Sequence, residues 1–134
     1  MKTVNVSLVG VGGQGIILTA DLLAKGGTAF VNDAYLTPVT VSSGQQADVE
    51  DLDGKLRKAF KKLVLVDAMK VATEEVGNPR TMNMVIAGAL SAFCPFEEAT
   101  WLDALAQLLT GPKAKLLDIN KKAFALGRAA AQAK

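Results

Sequence analysis

Hydrophobic and polar positions follow two different periods along this chain, and the switches between them predict its elements. Val4, Val6, Leu8 and Val9 make a β-branched, mostly apolar run that reads as a buried parallel strand. The run enters Gly10-Val11-Gly12-Gly13-Gln14-Gly15. Ile16, Ile17, Ala20, Leu23 and Ala24 then fall at helical spacing until Gly26-Gly27. A second short strand is predicted over Thr28–Val31, ending at Asn32-Asp33. Pro38–Val41 reads as extended, followed by a polar loop, Ser42–Gln46.

The next helix is marked by charge. Asp48, Glu50, Asp51 and Asp53 crowd its start, and Lys58, Lys61 and Lys62 crowd its end, as the helix dipole favours. Leu52, Leu56, Ala59, Phe60 and Leu63 give it one apolar face. Its basic residues, Lys55, Arg57, Lys58, Lys61 and Lys62, read as a solvated face rather than an anion site. Leu63–Val66 is the clearest interior strand, ended by Asp67. A short helix runs to Val76, stopped by Gly77 and Pro79.

From there the pattern is helical. Met82–Phe93 is almost wholly apolar, which predicts a helix buried on more than one side. Pro95 suits the first turn of another helix, lined by Trp101, Leu102, Leu105, Leu108 and Leu109 and ended by Thr110-Gly111-Pro112. An Ala-rich helix follows from about Ile119. Strands alternating with helices, then helices alone, predict an α/β fold. It is an open, mostly parallel sheet with flanking helices and a helical C-terminal half. The length of 134 residues fits a single domain over 1–134.

Composition narrows the chemistry. Net charge is +2, from 15 basic and 13 acidic residues, too balanced to argue for nucleic acid or an anionic membrane. The longest apolar stretch, Met84–Phe93, is far short of the roughly 20 residues that span a bilayer. The opening residues read as a first strand rather than a signal peptide, so the expected location is cytoplasmic. A mean hydropathy of +0.26 fits either a rich core or a surface covered by partners. The single cysteine, Cys94, excludes an internal disulfide. It also excludes an iron–sulfur cluster held by this chain alone, which needs about four cysteine ligands. The sequence has no histidine, so the commonest general base and zinc ligand is missing.

Gly10, Gly12 and Gly15 fit G-x-G-x-x-G between a predicted strand and a predicted helix. The first glycine permits the tight turn, the second lets the backbone approach a phosphate, and the third lets the helix pack on the strand. Free N–H groups at the helix start favour an anion there. Gly10, Gly12, Gly13, Gln14 and Gly15 are therefore the candidate cofactor-binding residues, and the sheet is expected to be Rossmann-like. Asp33 stands where a dinucleotide site places its acidic residue, so a free-standing NAD- or FAD-binding domain is one reading. Glycines that serve packing alone are another. Cys94 reads as an apolar filler rather than a nucleophile. Asp67 reads as a helix cap, or as a group facing the ligand crevice. Asn83 would cap the buried helix or meet a partner. Lys25, Tyr35 and Lys70 read as surface residues. No catalytic residue and no metal ligand is assigned.

Val9-Gly10-Val11-Gly12-Gly13-Gln14-Gly15-Ile16 resembles the opening of the gamma-type subunit of 2-oxoacid:ferredoxin oxidoreductases, a family that includes the small subunit of indolepyruvate oxidoreductase. Phe30-Val31-Asn32-Asp33 with Pro38-Val39 is similar to a later strand of that family. Gly77–Val85 with Gly88-Ala89-Leu90 is similar to its Asn-, Met- and small-residue stretch, and Ala123–Gly127 to its C-terminal helix. The family's central block, with a Glu-Val-His-Gly and an Arg-Gly-Gly stretch, is absent: Lys25-Gly26-Gly27 passes directly to Thr28. Asp33 then follows a different strand from the one that a dinucleotide site would use. The resemblance implies a companion subunit in the CoA-dependent oxidative decarboxylation of 2-oxoacids such as pyruvate or indolepyruvate. Thiamine diphosphate and iron–sulfur clusters would lie on partner chains, with ferredoxin as acceptor, so this chain alone would not be catalytic.

Overall fold

The computed structural model describes residues 28–33, 39–45 and 50–133. These fall into two compact units. One holds residues 28–29, 39–45 and 50–63, and the other holds 30–33 and 64–133.

Strand β1 (Thr28–Asn32) pairs with β2 (Lys62–Val66) in a two-stranded sheet. The Asp33 N–H donates to the Val66 carbonyl at 2.8 Å, so the two strands end side by side and run parallel. β2 follows the predicted interior strand. Val64 and Val66 are buried and Leu63 and Leu65 half-buried, the pattern of a strand covered on both faces.

In the first unit, α1 (Val39–Ser42) is a single helical turn closed by Gly44 N–H donating to Val41 O. This corrects the extended reading over Val39–Val41, Pro38 lying outside the described residues: β-branched residues prefer strands only weakly, and local turn bonding wins. Helix α2 (Leu52–Ala59) starts at Asp51, whose carboxylate accepts from Gly54 N–H at 3.1 Å. Asp51 itself is left-handed, with φ 52°, a conformation that Asp tolerates better than most residues. The acidic start predicted from sequence thus acts as a cap. Lys55, Arg57, Lys58, Lys61 and Lys62 are all exposed.

The second unit is mostly helical. Helix α3 (Ala68–Lys70) continues directly into a π-helical stretch, Val71–Val76. Val71, Ala72 and Val76 are buried, a spacing that suits the wider π turn. Gly77, at φ 85°, ends it, and its N–H and that of Asn78 both reach back to Ala72 O. A residue with a Cβ at Gly77 would be strained by about 1 kcal/mol. Asn78 caps the 3-10 turn Pro79–Thr81, accepting from Arg80 N–H at 3.0 Å, and proline occupies the first position.

That turn feeds α4 (Met82–Ser91), where only Asn83 is exposed. The helix is buried on more than one side, as its apolar run predicts. The helix stops short of Phe93. Ser91 Oγ donates back to Gly88 O at 2.6 Å, and Ala92 and Phe93 close tight turns onto Ala89 and Leu90. Helix α5 (Glu98–Leu108) begins after Pro95 rather than at it, because Glu97 is still extended. Its apolar face is narrower than predicted. Leu105 is buried and Trp101, Leu102 and Leu109 are half-buried, whereas Leu108, on the flank of that arc, is 75% exposed. A 3-10 stretch, Gly111–Leu116, leads into α6 (Leu117–Gln132), the predicted Ala-rich helix.

The core runs from β2, α3 and the π-helical stretch, where Val64, Val66, Ala68, Val71, Ala72 and Val76 are buried, to α4 and α6. Val85, Gly88 and Ala89 face Ala123, Phe124 and Gly127, each set at helical spacing. A Cβ on Gly127 would strike the carbonyl oxygen of Val85, and one on Gly88 that of Phe124. The two backbones therefore touch, which only glycine at both crossing points allows.

Candidate functional site

Open parallel sheets present ligands at the C-terminal ends of their strands. In the second unit this end is built from Asn32, Asp33, Asp67 and the start of α3. Ala68 N–H, wholly buried, donates to Asn32 Oδ1 at 3.1 Å. Asn32 Nδ2 lies 3.2 Å from Met82 Sδ. The buried N–H must meet an oxygen, which fixes the orientation of the amide. One side chain thus ties the end of β1 to the helix after β2 and to the first residue of α4. Asp67 Oδ1 accepts from Lys70 N–H at 2.9 Å, so Asp67 is the helix cap that the sequence suggested. Its carboxylate is nonetheless exposed, as is Asp33.

Asn32→Leu is expected to lower stability by about 2 kcal/mol, because it leaves the buried Ala68 N–H without an acceptor. Asn32→Asp keeps an oxygen there and should lose less. Urea titrations of the two variants check this, and equal losses would contradict it.

A second polar group joins three helices. Arg128 Nη1 donates to Ser91 Oγ at 2.9 Å, and Arg128 Nε lies 3.5 Å from Glu98 Oε2. Glu98 is 44% exposed, so solvent screens the ion pair and the bond to wholly buried Ser91 matters more. Neither Asn32 as a tie nor the Ser91–Arg128 pair was assigned from sequence. The only signal was a serine inside an apolar helix and an arginine on an Ala-rich one. Cys94 is a free, half-buried thiol whose pKa burial pushes up, which keeps it protonated and suits the filler reading. Asn83 is the exposed second residue of α4, so it is not that helix's cap. Lys70 is exposed.

Gly10, Gly12, Gly13, Gln14 and Gly15 lie outside the described residues, as do the first predicted strand and helix, Lys25 and Tyr35. Among the described residues, no three His, Cys, Asp or Glu side chains converge as a metal site. No helix among them is long and apolar enough to cross a membrane. The described arrangement places two exposed carboxylates at the strand ends above a rigid, capped helix start.

Comparison with known proteins gives the family. Residues 19–130 match the family described as pyruvate ferredoxin/flavodoxin oxidoreductase. The subunit IorB of indolepyruvate oxidoreductase from Pyrococcus horikoshii is 37% identical over 114 residues, which cover 82% of this chain and 55% of that one. IorB from Thermococcus kodakarensis is 35% identical over 116 residues, covering 82% and 55%. IorB from Archaeoglobus fulgidus is 27% identical over 112 residues, covering 81% and 54%. The chain spans about half the length of the curated relatives it matches. No solved structure matches it. A match over residues 19–130, most of the chain, carries one conclusion: this chain belongs to the pyruvate ferredoxin/flavodoxin oxidoreductase family.

Proposed function

We propose that this chain is an accessory, gamma-type subunit of a 2-oxoacid:ferredoxin oxidoreductase, of the indolepyruvate or pyruvate/2-oxoglutarate type. The observation that carries the reading is the family match over residues 19–130, with IorB subunits among the relatives. The complex would oxidise and decarboxylate a 2-oxoacid and pass its acyl group to coenzyme A. The donor set of this chain does not fit an iron–sulfur cluster, since it has one cysteine and no histidine. The clusters would therefore lie on partner chains; we place thiamine diphosphate there too, with ferredoxin reached through the complex, in the cytoplasm.

The role of this chain is then to hold and position. Gly10, Gly12, Gly13, Gln14 and Gly15 would present backbone N–H groups to an anionic group or to a partner's surface. The parallel pair β1–β2 would be part of a larger Rossmann-like sheet, since an isolated two-stranded pair is marginally stable at best.

Co-expression with the thiamine-binding and cysteine-rich chains of the same complex tests this. The tagged chain should elute with both in a fixed ratio. Elution alone, at its own mass, would overturn the proposal. Gly12→Ala separates the two roles of the loop. Lost co-elution with unchanged stability assigns it to binding, and lower stability with co-elution retained assigns it to packing.

A further inference from the structure

We draw no further inference here: the strongest candidate, the exposed apolar patch of Pro95 and Phe96 on the connection between α4 and α5, carries nothing because no part of the structure shows what covers it.

Discussion

Gly127→Ala is expected to destabilise the helical unit by about 3 kcal/mol. In an exposed helix the same change would stabilise by about 1 kcal/mol, because alanine is the better helix former. The sign reverses here because the new methyl would occupy the place of Val85's carbonyl oxygen. A flexible side chain could rotate away, but a backbone atom inside a helix cannot. The helices must separate, and the contacts of Val85, Ala89, Ala123 and Phe124 loosen together. Gly88→Ala should act alike, through the carbonyl of Phe124. The two losses should not add, because either change already parts the same pair of helices. Chemical denaturation followed by circular dichroism measures the effect as a lower midpoint at an unchanged slope. A midpoint at or above the parent's would mean that α4 and α6 do not touch at these glycines.

Phe124→Ala is expected to cost about 4 kcal/mol. Phe124 is 2% exposed and is the largest fully buried side chain among the described residues. Its ring centroid lies 6.0 Å from that of Trp101, so it fills the space between α6 and α5. Backbone contact between α4 and α6 hinders collapse of the cavity left behind, which places the loss towards the upper part of the usual range. The chain has one tryptophan, so its fluorescence reports on this contact directly. The emission should shift to the red in the native state of the variant, and unfolding should occur at lower denaturant. Phe124→Leu, which keeps most of the volume, should cost about 1 kcal/mol. A loss below about 0.5 kcal/mol for the alanine variant would place Phe124 outside the core.

Periodicity made the helical half legible. The run from Met82 is almost wholly apolar, and in the structure Asn83 alone of α4 is exposed. Gly77 and Pro79 mark a helix stop, and in the structure Gly77 ends the π-helical stretch while Pro79 opens the 3-10 turn that Asn78 caps. The ends of elements were harder to read. Ser91 bonds back to its own helix and ends it early, and Glu97 stays extended past Pro95. Val39–Ser42 shows the same limit, since the strand preference of valine and threonine gives way to a local turn. The closeness of α4 and α6 was present in the sequence as Gly88 and Gly127. A glycine in a helix signals close approach without naming its partner.

Of the candidate residues, the glycine loop lies outside the described residues, and the strand ends are the part that can be compared. The loop from Gly10 to Gly15 stands out because three glycines fall at the spacing a phosphate cradle needs, between a predicted strand and a predicted helix. Asp67 could be read as a cap because it ends a strand just before a helix. Asn32 was seen only as the end of a strand. Its role depends on Ala68 and Met82, 36 and 50 residues away in sequence. Tertiary hydrogen bonds of this kind leave no local pattern.

In the proposed function this chain positions, and the reaction would take place on its partners. Reconstitution of the complex with and without it is the most direct measurement. The rate of CoA-dependent ferredoxin reduction by a 2-oxoacid should fall to near background when the chain is omitted, with thiamine diphosphate and the clusters still bound to the remaining chains. Adding the purified chain back should restore the rate in proportion to the amount bound. An unchanged rate without the chain would contradict the account, as would 2-oxoacid oxidation by this chain alone.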